Sequence, residues 1–412
     1  MGWVWRSAAG WAARNVSLPV HASSLTRAGP PLSLDRLMNA ARLGTLRTTA
    51  SPVHHDRGVS SALTADGAST PAWLEEIQRA TDAHLLRFFE DRAKLVARLL
   101  GPDTEPSELL SAVQAMTLRG GKRLRPAMLV ASFRAVRPDA IWTSAGPACA
   151  ALELFQSYLL IHDDWMDGDE VRRGGPSVHA QLRQRFGGQV LGDALAILAG
   201  DSASAMAWEL FIEGALACPG GTEAIATFAR IHQEVVLGQE MDLRSARDVG
   251  RMQRLKTGSY TVQGPLEIGA LLAGAEPALL AALRSFGEPL GEAFQVKDDL
   301  LGLFGDPKEL GKPVGTDLRM GRRNALLREC ERLLPADERQ RLETVMSRAP
   351  LSDEQVHEIA QQLEHAGIRT RVEERLEGLL ASALAALESA PFHEPGKSML
   401  RELAERMVRR DR

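Results

Sequence analysis

The stretch ALELFQSYLLIHDDWMDGDE, residues 151–170, decides the fold. Its apolar residues feed straight into acids, so the carboxylates cap the end of a buried helix. Five acids fall in the eight positions from Asp163 to Glu170. On a helix Asp163 and Asp167, four apart, share a face, and Asp164 lies one step round. Like charges at that spacing repel by about 0.2–0.5 kcal/mol per pair. A sequence tolerates that cost where cations sit between the carboxylates. All-oxygen ligation, with water and phosphate in the remaining positions, suits Mg2+. A solvated acidic helix end is the competing reading while this stretch stands alone.

Outward from this helix the same periodicity recurs. Ala72–Leu100 places Leu74, Ile77, Leu85, Phe88, Leu95 and Leu99 at three- and four-residue spacing, the pattern of an amphipathic helix. Further helices are expected near 107–118, 123–137, 145–167, 177–186, 190–217, 221–243, 250–273, 278–303 and 320–334. Four more are expected near 337–347, 353–365, 369–388 and 398–410. Gly and Pro punctuate the spans, as at Gly101-Pro102, Gly187-Gly188 and Pro219-Gly220-Gly221. Gly264-Pro265 falls inside one span and predicts a kink or break there. Neither strand alternation nor a repeat of 20–50 residues is visible. Although 412 residues would allow two or three domains, the expectation is an all-α fold with one large helical domain over residues 71–412.

Composition agrees. The chain is 44% hydrophobic and 25% charged but only 5% aromatic, ordinary for a globular helical protein. A net charge of −4 gives no global basic field for nucleic acid or acidic membrane. Cys149, Cys218 and Cys330 lie far apart, against a disulfide framework or zinc site and consistent with a reducing compartment. No uncharged apolar run of the roughly 18 residues needed for a membrane span is seen. Residues 1–70 differ, with seven Arg, three Asp, no Lys and no Glu. That reads as a disordered tail or a wrongly assigned start, with an organelle-targeting segment as the alternative. The expected location is therefore the cytoplasm.

A second acidic cluster sharpens the reading of the first. FQVKDDLLG, residues 294–302, again ends an apolar helix in paired Asp. Two Asp-rich helix ends facing one cavity could hold several Mg2+ ions around a polyanion. Matching cations follow in Arg172-Arg173, Lys256, Lys312 and Arg322-Arg323. GGKRLRP, residues 120–126, is a Gly-led basic turn at a helix start, suited to an anion through backbone N–H groups and guanidinium forks.

The sequence resembles the trans-isoprenyl diphosphate synthases, or polyprenyl synthetases. GGKRLRP at 120–126, DDWMD at 163–167, RRGGP at 172–176, KTGSY at 256–260, FQVKDDLLG at 294–302 and GKPVGTDL at 311–318 carry the resemblance. It implies an isoprenoid-synthase-type bundle around a central cavity, and a homodimer. It also implies transfer of an allylic diphosphate's prenyl group onto isopentenyl diphosphate, aided by Mg2+ (three ions per site). By resemblance Asp163, Asp167 and Asp298 are metal ligands, with Asp164 supporting them. Arg172, Lys256 and Lys312 match positions that hold the allylic diphosphate, joined by Arg322. Thr257 and Gln295 match those near the developing cation and leaving group. Lys122, Arg125, Gln156 and Arg173 match the isopentenyl diphosphate pocket. Three positions depart from the commoner pattern. Gln156 stands where many relatives have His, Gly302 replaces the last Asp of the second cluster, and Arg322 replaces a Lys found in some relatives.

In this family the growing chain points down the cavity from the first Asp cluster. Tyr158 and Leu159 lie five and four residues before Asp163, about 6–7.5 Å back along the helix. An aromatic residue at Tyr158 with an uninterrupted DDxxD resembles synthases that stop at twenty carbons. The expected product is therefore geranylgeranyl diphosphate with Tyr158 as the floor, and farnesyl diphosphate is the rival. A class I terpene cyclase and a non-catalytic partner subunit are the readings from other classes. A cyclase has no need of GGKRLRP, and silent subunits typically lose Asp or Arg from motifs that are intact here.

Overall fold

The computed structural model describes residues 70–101, 107–244, 246, 248–305, 315–319, 321, 324–347 and 350–409. The expected N-terminal extension lies outside them, as do Lys312 and Arg322. The first helices are α1 (Ala72–Leu100), α2 (Glu108–Leu118), α3 (Leu124–Val136) and α4 (Gly146–Asp167). A short hairpin, β1 (Val171–Arg172) and β2 (Gly175–Pro176), leads into α5 (Val178–Phe186), α6 (Gln189–Leu216) and α7 (Gly221–Leu243). Then come α8 (Val249–Gln253), a π-helical segment (Arg254–Gln263), α9 (Gly264–Leu272) and α10 (Pro277–Phe304). The C-terminal part holds α11 (Thr316–Arg319), α12 (Ala325–Leu333), α13 (Ala336–Met346), α14 (Asp353–His365), α15 (Ile368–Ser389) and α16 (Glu394–Arg409). The all-α expectation holds.

The helix that decided the fold is also its axis. Pro147 preorganises the start of α4, and Gly168, at φ 71, takes the left-handed conformation that ends it. Nearly every residue from Ala148 to Tyr158 is buried. α6 packs along α4 through a face of small residues, Ala196, Ala199, Gly200, Ala203 and Ala207. By length and composition alone α6 is also long and apolar enough to cross a membrane. α10 packs against α15, and its C-terminal end brings the second Asp pair to the mouth of the bundle.

Three local expectations are corrected. The span expected over 250–273 is not one α-helix: π-helical turns over Arg254–Gln263 give way to α9 at Gly264-Pro265, where a kink or break was expected, and Gly264 N–H reaches back five residues to Ser259 O. The helix expected over 320–334 is shortened to α12, which starts at Ala325 with the Asn324 side chain accepting from Leu327 N (3.0 Å), and the short α11 lies before the expected span. A strand pair exists where none was expected. Arg173 (φ 52) and Gly174 (φ 70) form the two-residue turn that closes it.

Candidate functional site

Both Asp clusters sit near the C-terminal ends of their helices, α4 and α10. A helix C-terminus already carries partial negative charge, so carboxylates there are doubly in need of cations. Asp163, Asp167, Asp298 and Asp299 line one cavity of about 550 Å3, with Lys256 and Gln295 on its wall. Among the described residues no three His, Cys, Asp or Glu side chains converge into a ready-made metal cage. One or two carboxylates from each helix across an open space suit Mg2+, which takes few protein oxygens and completes its shell with water and phosphate. The donor set therefore fits. Gly302 also lines this cavity, and a Cβ there would meet nothing within 4 Å. The Asp absent from that position is a ligand this chain forgoes with room to spare.

The cations of the site are held by these acids. Lys256 Nζ donates to Asp163 Oδ1 at 3.1 Å and to Asp242 Oδ2 at 2.6 Å. Burial disfavours its ammonium form, yet the two carboxylates outweigh burial and hold the pKa above the ordinary lysine value. Gln239 Nε2 adds a third hold on this group, donating to Asp163 Oδ1 at 3.0 Å. Gln239 and Asp242 went unrecognised in sequence, although the stretch GQEMD at 238–242 carries both. Its glycine has a reason: a Cβ at Gly238 would lie 2.2 Å from the backbone nitrogen of Lys256. Gly238→Ala is expected to push α7 from the π-helical segment, costing about 1–3 kcal/mol in urea unfolding and lowering turnover. Wild-type stability and rate would show that the approach is unimportant.

Asp164, expected to support the metal ligands, does not line the cavity itself: it is buried, with 1% exposure, and bound to Arg172. Arg172 Nε donates to Asp164 Oδ1 at 2.7 Å and Arg172 Nη2 to Asp169 Oδ2 at 3.2 Å. Burial lifts the Asp164 carboxyl to about 6 against the opposing pull of Arg172. Asp164 is thus the anchor that aims Arg172, whose residue does line the cavity. Gln295 Nε2 donates to Asp299 Oδ1 at 2.9 Å, and Gln253 Nε2 to Asp299 Oδ2 at 3.3 Å. The π-helical turns carry Lys256 and Thr257 to the junction of this cavity with a second one.

The basic turn at 120–125 meets the hairpin tip. Arg119 Nη1 donates to the carbonyls of Arg172 (3.1 Å) and Pro176 (2.7 Å), fastening the hairpin to the end of α2. Arg173 Nη1 donates to Gly120 O at 3.0 Å. Burial lowers the Arg173 pKa and nearby Arg123, Arg125 and Arg172 lower it further, with Glu153 opposing. Such a crowd of guanidinium groups is relieved by an anion. Arg125 lies 4.6 Å from the Tyr260 ring centroid and donates to Thr261 Oγ1 at 2.9 Å, leaving its buried Nε without a partner. Lys122 is exposed on the turn, and Gln156 is buried on α4 with Oε1 unpartnered.

The second cavity, about 370 Å3, is apolar over most of its wall. Tyr158, Leu159, Met166, Val235 and Leu243 line it, and Asp163, Lys256 and Thr257 border both spaces. A charged chamber thus adjoins a greasy one along three shared residues. That geometry suits a molecule with an anionic head and an apolar tail.

The family model for polyprenyl synthetases matches residues 106–363. The chain is 34% identical over 257 residues to a short chain isoprenyl diphosphate synthase of Methanocaldococcus jannaschii, covering 61% of this chain and 75% of that one. It is 36% identical to a geranylgeranyl diphosphate synthase of Sulfolobus acidocaldarius, covering 56% and 69% of the two chains. Among solved structures, it resembles the geranylgeranyl pyrophosphate synthase of Corynebacterium glutamicum complexed with isoprenyl diphosphate and magnesium. The TM-score is 0.74 at 30% identity, over 82% of this chain and 99% of that one.

Proposed function

The chain belongs to the polyprenyl synthetase family and is a prenyltransferase; from that premise we propose that it condenses isopentenyl diphosphate head-to-tail with dimethylallyl, geranyl and farnesyl diphosphates to make geranylgeranyl diphosphate. The junction of the two cavities at Asp163, Lys256 and Thr257 carries the reading. An allylic diphosphate laid across it keeps its phosphates in the charged chamber and its tail in the apolar one. Arg172 and Lys256 bind its diphosphate, and Lys122, Arg125, Gln156 and Arg173 bind that of isopentenyl diphosphate.

Asp163, Asp167 and Asp298 would hold Mg2+, three ions per site, and the metal would supply positive charge to the departing pyrophosphate. The allylic C–O bond breaks with its electron pair leaving on pyrophosphate. The double bond of isopentenyl diphosphate attacks the resulting cation, and a proton is lost to the released pyrophosphate. Thr257 and Gln295 border the developing charge, and the apolar wall keeps out water that would quench the cation.

Residues 71–412 form the catalytic domain in this reading, and the protein works in the cytoplasm as a homodimer. Exposed Val190, Leu191, Leu198 and Ile212 on α6, with Val236 and Leu237 on α7, support a dimer face.

Product analysis tests the proposal. The full chain is incubated with Mg2+, labelled isopentenyl diphosphate and each allylic diphosphate in turn, and the dephosphorylated alcohols are sized. Geranylgeraniol is expected. Farnesol would keep the chemistry and overturn the length, and absence of any elongation would sink the activity. Tyr158, 9% exposed, faces the apolar cavity. Tyr158→Ala is expected to lengthen the product by at least one five-carbon unit, and an unchanged product would remove Tyr158 from the floor.

A further inference from the structure

On the far side of His232 from Tyr158 lies a third, open cavity of about 470 Å3, lined by Trp208, Ala229, His232 and the exposed Gln233, Val236 and Leu237. Val236 belongs to the walls of both the second and third cavities. Tyr158 stands on the near side and His232 on the far side, with Tyr158 Oη 3.2 Å from His232 Nε2. The other face of the imidazole is engaged too, because Trp208 Nε1 donates to His232 Nδ1 at 3.2 Å. An indole N–H only donates, so Nδ1 is the acceptor and the imidazole proton resides on Nε2, directed at the tyrosine oxygen. Burial, which lowers the His232 pKa, favours the same neutral form.

The histidine is boxed in by rings. Its centroid lies 5.1 Å from that of Phe155, 5.2 Å from Tyr158 and 6.2 Å from Trp208, and Phe228 packs on Trp208 at 4.7 Å. A lone tyrosine at the end of an apolar cavity can turn aside about its side-chain torsions when a tail presses on it. One whose hydroxyl is tied to a ring-flanked imidazole cannot do so without breaking a partly buried hydrogen bond.

We propose that His232 is a chain-length-determining residue, forming with Tyr158 a hydrogen-bonded partition between the apolar cavity and the cavity behind it. The proposal rests on the prenyl-transfer reading and names α7, rather than α4 alone, as a source of the floor. Trp208 acts through His232, as a positioning residue that fixes its tautomer and tilt. Removal of the partition joins two spaces that already share the Val236 wall.

The test compares product lengths from full-length wild type, Tyr158→Ala, His232→Ala and the double variant, with Mg2+, labelled isopentenyl diphosphate and farnesyl diphosphate. His232→Ala is expected to move the main product up by at least one five-carbon unit, and the double variant to exceed Tyr158→Ala alone. Product length, unlike rate, separates a moved floor from a mere loss of turnover, and circular dichroism checks that each variant is folded. A double variant whose products stop where those of Tyr158→Ala stop overturns the proposal. Should the alanine variants fail to fold, Tyr158→Phe keeps the ring and deletes only the hydroxyl. A new longer product from it supports the tether, and a profile superimposable on wild type overturns it. Wild-type protein that elongates nothing sinks the prenyl-transfer reading itself. Elongating wild type with unmoved variants sinks the partition alone.

Discussion

Asp163→Ala is expected to cut Mg2+-dependent turnover by about a thousandfold while leaving far-UV circular dichroism unchanged. The magnitude follows from charge stabilisation of the leaving group, about 4 kcal/mol at about 1.4 kcal/mol per decade of rate. Asp163 is the point at which the charged and apolar cavities meet, and it also receives Lys256 and Gln239. On the proposed reading, loss of its carboxylate removes a metal oxygen, and it also loosens one hold on the lysine. Asp242 remains on Lys256 at 2.6 Å, so the lysine keeps its place and the loss reports mainly on the metal side. The side chain is 24% exposed and supports no core packing, which is why the fold should survive. Steady-state rates across a Mg2+ titration decide the matter. A variant that retains the wild-type rate and metal dependence would strip Asp163 of its role as a ligand.

Arg123→Ala is expected to destabilise the protein by about 3–5 kcal/mol, the usual cost of leaving a buried charge without its partner. The Arg123 side chain is 2% exposed and pairs with Glu153, itself 4% exposed, at 2.7 Å, and with Asp82 at 2.8 Å. The same guanidinium donates to Thr117 O at 3.2 Å and Gly120 O at 3.3 Å, so it also stitches the end of α2 to the start of α3. Removing it leaves the Glu153 carboxylate buried in α4. The midpoint of urea unfolding should fall accordingly. Adding Glu153→Leu should recover much of the loss, because a buried ion pair replaced by apolar side chains of similar volume is often no less stable. A single variant within about 0.5 kcal/mol of wild type would show the pair to be dispensable, as surface substitutions are.

The long helices were legible because their apolar residues repeat over many turns, as in α1, α4 and α7. The Asp clusters were legible for a different reason: paired acids at the end of an apolar run are costly without cations, and the cost shows in the letters. Hydrogen-bond register is not written in side-chain pattern, so the π-helical turns at Arg254–Gln263 could not be read, although Gly264-Pro265 marked the place where they end. Strands of two residues are too short for alternation, which hid the hairpin at Val171–Pro176. Burial of charge was also invisible. Arg123 stands in a basic run with Lys122 and Arg125, yet it faces inward to Glu153 while Lys122 is exposed. Asp164 likewise sits beside Asp163 in sequence but serves Arg172 instead of the cavity. Gln239 and Asp242 went unrecognised within a long helix, because nothing local records that Lys256 approaches Asp242 from another segment or that Lys256 and Gln239 meet at Asp163.

The hairpin tip has a metric consequence. Arg172, held by Asp164 and Asp169, and Arg173, held at Gly120, are covalent neighbours, and consecutive Cα atoms across a trans peptide are fixed about 3.8 Å apart. If each arginine anchors one of the two diphosphates, the two anchors share one backbone link and cannot drift apart as the surrounding helices breathe. The positions of the two guanidinium groups are then set by what grips each side chain, Asp164 and Asp169 for Arg172 and Gly120 O for Arg173.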